Sequence, residues 1–575
     1  MAPLGPLTRQ GAPAIFCEYA KIARRRPAST QILFFDFLPD GAITLIDKVL
    51  FHGQFYARNA APFTAIAISR DRIVAVGTDD EIRGLAPRSA LQFNLDGCTV
   101  WPGLTDAHIH WEGTARALRM IHLMDTPSKA AATERVAEAA ARAGDQPWLT
   151  GHGWAQSMWP DGAFPSAADL DLVAPHIPVY LASRSGHAAW VNTAALRQAG
   201  IHAGTPDPEG GQIQRDAHGQ PTGILFENAM GLVANLVPRP TPEALADMMI
   251  DAQTRAWQAG LTGIHDFDDQ TCFEALEILR ERGQLGLRVL KNINLAFFEA
   301  ALGFRIRSGF GDSMLRIGAL KLFADGALGT RTASMIEPYA GEPENYGIVV
   351  LDKETILDLV LRATQHGLPT TIHAIGDRAV HDVLDVFEAV RDREAQEGVA
   401  RAARRHRIEH VQVIHPADVG RLKALDIIAS MQPIHATSDY PMADQFWGER
   451  SKLAYNPRVQ LDLGTRVAFG SDSPVEPFDP MAGLYAAVTR RRADGTPGPE
   501  GWYPEARLTL TEALDGYTVG AAYAAGAEAV SGVLAPGFQA DLIVLDRDPF
   551  KGPPEELLKV AVTGTMVGGE WRYQA

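Results

Sequence analysis

Gly103-Leu104-Thr105-Asp106-Ala107-His108-Ile109-His110 is the stretch on which the reading of the fold turns. It continues a strand-like run that starts Thr99-Val100-Trp101-Pro102 and finishes in two histidines one residue apart. Side chains of a strand alternate between faces, so His108 and His110 point the same way and can share one metal ion. Alone, His-x-His is a weak signal, because two such residues are as readily ordinary surface or core histidines. Its weight comes from the strands that follow.

Downstream, short apolar runs of β type alternate with helical stretches such as the one opening at Pro242-Glu243-Ala244-Leu245-Ala246, the pattern of βα units and a parallel sheet. Seven further strand candidates follow the first: Gly263–Phe267, Leu287–Lys291, Ile317–Phe323, Thr370–His373, Arg407–His410, Ile427–Met431 and Val467–Asp472. Eight parallel strands are what a (β/α)8 barrel of TIM type requires. The fold class expected is therefore α/β.

Both ends of the chain have another texture. Val49–Gly53, Thr64–Ile68 and Arg72–Gly77 are β-rich runs separated by turn residues, and the same texture returns at Gly532–Gly537, Ala540–Asp546 and Val560–Gly564. The expectation is one composite β-sandwich from residues 45–100 and 530–575, flanking a barrel over 101–529. Residues 112–245 interrupt the barrel after its first strand and carry their own strand signals at Trp148–Trp154 and Pro178–Ser183. A loop of that length reads as an inserted subdomain over the face where barrel active sites form, a lid or pocket module rather than decoration. Residues 1–44 read as an extension to which no role is assigned.

Composition excludes several classes. The chain has 575 residues, 46% hydrophobic and 21% charged, and a net charge of −16, with Arg24-Arg25-Arg26 too short a basic run to suggest nucleic acid. No apolar run approaches the ~20 residues of a membrane span. Cys17, Cys98 and Cys272 are too widely spaced for a disulfide framework or a Cys-x-x-Cys site. With no secretory signal pattern at the start, a reducing, cytoplasmic setting is expected. Homo-oligomerisation is left open.

The ionisable residues fall at corresponding places. His108 and His110 close the first strand, Lys321 lies in the apolar run of the fourth, His373 closes the fifth, His410 the sixth, and Asp472 follows the eighth. Each has an ordinary alternative: a structural histidine, a helix-capping Asp, a Lys paired with Asp325. Together, on five strands, they converge on the C-terminal face of a barrel. Four imidazoles and a carboxylate suit Zn²⁺ or another divalent transition metal, and lack the all-oxygen character that Mg²⁺ and Ca²⁺ prefer.

The arrangement resembles the amidohydrolase superfamily of metal-dependent hydrolases, from about Lys48 to Trp571. Within it, the chain is similar to amidohydrolase family 3, the YtcJ-like branch that includes N-substituted formamide deformylase. The segments that carry the likeness are Gly103–His110, Ser185-Gly186-His187-Ala188-Ala189-Trp190-Val191-Asn192, Lys321–Ala333, Ile372-His373-Ala374-Ile375-Gly376-Asp377, Arg407-Ile408-Glu409-His410 and Phe469-Gly470-Ser471-Asp472-Ser473-Pro474.

The resemblance implies roles. His108 and His110 would hold one ion, and His373 and His410 a second. Lys321 would be carboxylated, its carbamate bridging the two; if it stays unmodified, one ion is expected. Asp472 would bind the first ion and act as general base. The reaction implied is cleavage of a non-peptide C–N bond, in a small amide, N-acyl or N-formyl substrate, by metal-activated hydroxide. His187, Trp190 and Arg331 are candidate substrate contacts, with packing of the insertion or a loop-holding ion pair as their alternatives. His265 reads as a supporting residue, His435 as one that could approach the pocket, and Trp154, Trp159 and Phe164 as a pocket wall or core. Two rival readings remain: a lactonase or phosphoesterase on the same metal site, and a non-catalytic regulatory protein that keeps the barrel. The second would show a lost ligand, and all six positions are filled.

Overall fold

The computed structural model describes residues 45–58, 61–124, 126–144, 146–183 and 187–575. The extension 1–44 lies outside the described residues, as do Ser185 and Gly186 of the segment that carries His187 and Trp190.

Eight strands form the central sheet in chain order: β1 (Leu104–Ile109), β2 (Leu261–Asp266), β3 (Arg288–Asn294), β4 (Leu315–Phe323), β5 (Thr370–Ala374), β6 (Arg407–His410), β7 (Ile428–Met431) and β8 (Val467–Phe469). Each pairs in parallel with the next. The chain just past β8 joins the sheet back to β1: the Asp472 amide donates to the His108 carbonyl at 2.7 Å, and the His110 amide donates to the Ser473 carbonyl at 2.9 Å. The result is a nearly closed (β/α)8 barrel. The helix at Pro242–Gln258 starts as its sequence requires, with the Thr241 side chain accepting from the Ala244 amide and proline in the first turn. Its Leu245, Ala246 and Met249 enter the barrel's outer core beside Leu261 and Leu276.

One expectation changes. The run Thr99–Leu104 is not a single strand leading into the histidines. Thr99–Pro102 belongs to another sheet, antiparallel to Leu542–Leu545 and parallel to Gln54–Phe55, and the barrel strand begins only at Leu104. Gly103 is the crossing point. A Cβ there would stand 2.3 Å from Thr262 Oγ1, so only glycine lets the chain pass β2 at that distance. An apolar pattern does not record a change of sheet, because both halves are buried.

The five-stranded sheet that takes Thr99–Pro102 is built from both ends of the chain, with order Gln54–Phe55, Thr99–Pro102, Leu542–Leu545, Val562–Val567, Glu570–Gln574. It faces a four-stranded sheet of Arg72–Gly77, Ala65–Ser69, Lys48–Phe51 and Leu91–Asn94. Leu50, Ile66, Ile68, Val100, Leu542 and Met566 pack between the two as one core, which makes the pair a β-sandwich. The insertion after β1 carries a six-stranded sheet with Ile121–His122 at one edge and Gly211–Arg215 at the other, and its own core around Val179, Leu181 and Trp190. Among the described residues no helix is long and apolar enough to cross a membrane.

Candidate metal centre

Alternation along β1 puts Asp106, His108 and the following His110 on the inner face. Asp106 is buried and accepts from the His108 amide at 3.1 Å, the Ser471 amide at 3.0 Å and Ser471 Oγ at 2.6 Å, stapling the ends of β1 and β8 together. Burial pushes its pKa up to about 7 against those hydrogen bonds. On β5, Thr371 and His373 face inward; on β6, Arg407 and Glu409 do.

By the same alternation His410 would face the outer helices. Its backbone turns into the left-handed region, with φ 75° at His410 and 43° at Val411, and the ring comes inside, 4.8 Å from the His108 ring and 4.6 Å from that of His373. Asp472 is placed by a similar turn, φ 60°. Non-glycine residues held in this region cost energy that the surrounding structure must offset, and they concentrate at functional sites.

The converging atoms are close. Ligand atoms of His108, His410 and Asp472 all lie within 4.8 Å of one another. Asp472 Oδ1 is 3.5 Å from His108 Nε2 and 3.4 Å from His110 Nε2, and its Oδ2 is 3.8 Å from His435 Nε2. Lys321 Nζ is buried between two aromatic faces, 4.6 Å from the centre of Phe267 and 4.7 Å from that of Phe323.

Hydrogen bonds behind the rings set their tautomers. His108 Nδ1 meets Glu409 Oε2 at 2.6 Å, His110 Nδ1 meets Asp268 Oδ1 at 2.9 Å, and His410 Nδ1 meets Gln432 Oε1 at 2.9 Å. All three partners are acceptors, so Nδ1 carries a proton, and in the neutral rings of His108 and His410 Nε2 offers a lone pair. His373 is reversed: its Nε2 donates to the Gly326 carbonyl at 2.9 Å, which leaves Nδ1 as the lone-pair atom. Four imidazoles placed this way, with one carboxylate, fit a divalent transition ion. Burial opposes a charge on His110, yet its hydrogen bonds to Asp268 and Asp472 raise its pKa to about 10, so it must release its Nε2 proton to ligate. His435 Nε2 is buried and makes no hydrogen bond, a further polar atom facing this space without a partner.

The electrostatics suit that role. Burial lowers His108 to about 4 and, with Lys321 beside it, His373 to about 3, so both rings stay neutral and able to ligate. Burial opposes ionisation of Asp472, yet His108, His110, His410 and His435 together hold it well below the usual carboxylate range. Burial brings Lys321 down to about 8.

Several residues that hold the candidate ligands in place escaped the sequence reading. Glu409 links His108 to Arg407, whose Nε and Nη2 donate to it at 2.5 and 2.9 Å, and it also accepts from Thr371 Oγ1. Asp268 holds His110 and accepts from the Glu112 amide at 2.6 Å. The signal for Glu409 was present in Arg407-Ile408-Glu409: two opposite charges two residues apart on a strand share a face. Asp268 gave none, since it lies in a loop where no period applies. His265 is the supporting residue expected, its Nδ1 accepting from Arg407 Nη1 at 3.0 Å.

The substrate-contact candidates are spread out. Trp190 is wholly buried in the insertion, edge-on to Trp154 and Trp159 at 6.2 and 6.3 Å, with Nε1 donating to the Ser166 carbonyl. It is core there. His187 is exposed and pairs with Glu227 at 3.0 Å. Arg331, in the loop after β4, pairs with Glu342 at 2.9 Å and lies over the Phe446 ring.

A barrel with these residues at its strand ends belongs to a class of metal-dependent hydrolases, and comparison with known proteins places it more closely. Residues 92–573 match the model of the amidohydrolase family, and the chain is a member of that family and a hydrolase. Its relatives include the amidohydrolase YtcJ of Bacillus subtilis, 32% identical over 491 residues that cover 84% of this chain and 90% of that one. The N-substituted formamide deformylase of Arthrobacter pascens is 32% identical over 539 residues, covering 90% and 96%. Among solved structures, an uncharacterized metal-dependent hydrolase of Pyrococcus furiosus superposes with a TM-score of 0.72 at 29% identity, covering 88% of this chain and all of that one.

Proposed function

We propose that the protein hydrolyses a non-peptide C–N bond, in a small amide, N-acyl or N-formyl compound, at a site made by His108, His110, Lys321, His373, His410 and Asp472. The observation that carries this reading is the convergence of ligand atoms of His108, His410 and Asp472 within 4.8 Å, with His110 3.4 Å from Asp472 and the His373 ring 4.6 Å from that of His410. Zn²⁺ is the ion best matched to those donors, as one ion or two, and when bound it supplies Lewis acidity and brings water within reach of deprotonation near pH ~7.

The chain's own residues do the rest. Asp472, ionised and within reach of both β1 histidines, takes the proton from the attacking water and returns it to the departing nitrogen. Glu409 and Asp268 hold His108 and His110 in register. The products are a carboxylate and an amine. The insertion at 112–245 serves as the pocket module, and the sandwich of 45–100 with 530–575 as a separate structural unit. Cys98 and Cys272 are free thiols, which accords with a cytoplasmic setting.

The test is a panel of N-formyl, N-acyl, ester, lactone and phosphoester compounds offered to zinc-loaded protein. Turnover of the N-acyl or N-formyl members is expected. Turnover confined to phosphoesters or lactones would overturn the reading, and so would the absence of bound metal.

A further inference from the structure

A cavity of about 250 Å³ lies at the other end of the barrel, where the first residues of β2, β3 and β4 meet the segment 521–541. Its charges do not balance locally. Arg288 is taken up by Asp541 through two contacts at 2.6 and 3.0 Å, Asp312 is taken up by Arg280 at 2.7 Å, and Arg72 has Asp71 at 3.5 Å. Arg316 has no carboxylate within ion-pair distance among the described residues. Its one hydrogen bond runs from Nη2 to the Ala525 carbonyl at 2.9 Å. Burial and the neighbouring Arg288 both weigh against its charge, while Glu528, already paired with Arg405 at 2.5 Å, favours it only by longer-range attraction. A mostly buried guanidinium without a counter-ion is costly, and buried charges are ordinarily paired.

Two further groups lining the cavity are unspent. Gln539 is 7% exposed and its side-chain amide makes no hydrogen bond. His265 is 2% exposed; its Nδ1 faces Arg407, which can only donate, so the proton sits on Nε2, and that N–H has no partner. The cavity therefore presents a guanidinium fork, an amide and an imidazole N–H, all able to donate, and one unmatched positive charge.

We infer that this cavity is a binding site for a small monocarboxylate, held by Arg316, Gln539 and His265 and separated from the metal residues by Arg407 and Glu409. A planar carboxylate matches the guanidinium fork, and a single negative charge matches the single unpaired cation. A water's share of liquid volume is about 30 Å³, so about 250 Å³ is room for a carboxylate of several carbons together with a few waters.

The experiment is a thermal-unfolding and calorimetric titration of the zinc-loaded protein with acetate at constant ionic strength, with chloride and inorganic phosphate as parallel arms. A saturable rise in Tm with acetate is expected, growing with the logarithm of its concentration, without an equal response to either other anion. In Arg316→Gln the acetate response should vanish. In Gln539→Leu, which removes no charge, affinity should fall about tenfold for one lost hydrogen bond to a charged group. The second variant keeps the test alive if the first fails to fold. A response that persists unchanged in both variants would place acetate at the metal residues and overturn the inference. No saturable response, or one that chloride or phosphate reproduces, overturns it as well.

Discussion

Glu409 Oε2 lies 2.6 Å from His108 Nδ1, with both groups sealed from solvent at the centre of the barrel. The same carboxylate receives Arg407 and Thr371, so one side chain ties β1, β5 and β6 together directly behind the candidate metal residues.

Replacing Glu409 by Gln keeps the shape and removes the charge. His108 loses its anionic partner, and Arg407 is left as a buried cation facing a neutral amide. Metal affinity should fall by about 10- to 100-fold. Stability should drop by up to about 3–5 kcal/mol, as when one partner of a buried pair is removed. Zinc titrations of wild type and variant separate the two effects: activity should return at high zinc if Glu409 positions a ligand. A variant that binds zinc as wild type does would show that Glu409 only holds the strands.

Asp472→Asn tests the proton carrier. The four imidazoles remain, so metal content should stay near wild type, while kcat should fall by about 10²- to 10⁴-fold. Metal analysis and steady-state kinetics on one substrate give both readings. Equal kcat in the two proteins would remove Asp472 from the mechanism.

The eight barrel strands and the strand-end residues were legible because both follow simple periods: apolar runs spaced by helices, and ionisable residues at equivalent ends. His410 was found by that spacing although strict alternation would have turned it outward; the left-handed backbone at His410 and Val411 has no mark in composition. The switch of sheet at Gly103 was hidden because Thr99–Pro102 and Leu104–Ile109 are both buried and apolar. Trp190 shows the opposite limit. Its segment resembles a family motif, yet its indole lies in the core of the insertion, and only the three-dimensional contacts with Trp154 and Trp159 reveal it.

Asp325 gives a pH prediction of definite sign. It is buried in the loop after β4 and accepts from the amides of Ser334, Ile375 and Gly376 at 2.8–3.0 Å, joining that loop to the one after β5. Burial raises its pKa from 3.8 to about 7 despite those bonds. A raised folded-state pKa means the folded protein binds the proton more tightly. Its stabilising contribution is full below the unfolded value and is lost as pH rises through about 7. The stability advantage of wild type over Asp325→Asn should therefore shrink by about 1.4 kcal/mol per pH unit between pH ~5 and ~7, then level off. Denaturant unfolding of both proteins across that range measures it. An advantage that stays constant between pH ~5 and ~7 would mean the carboxylate is already ionised in the fold.

Lys321 is the last residue whose chemistry can be decided by experiment. Its Nζ lies between Phe267 and Phe323, and burial brings its pKa down to about 8. At neutral pH roughly a tenth of the molecules then carry a free amine, far more than for an exposed lysine. Carboxylation needs that amine: its lone pair attacks CO2, the new N–C bond forms, and one proton leaves to water. The reaction should therefore quicken as pH rises through about 8. Protein reconstituted with zinc and ¹³C-bicarbonate should show a carbamate carbon resonance that is absent from Lys321→Met. The variant should bind one ion where wild type binds two, because the bridging anion is gone. A wild type that gives no carbamate signal and binds one ion, as the variant does, would establish a single-ion site in which Lys321 stays an amine held between its two aromatic rings.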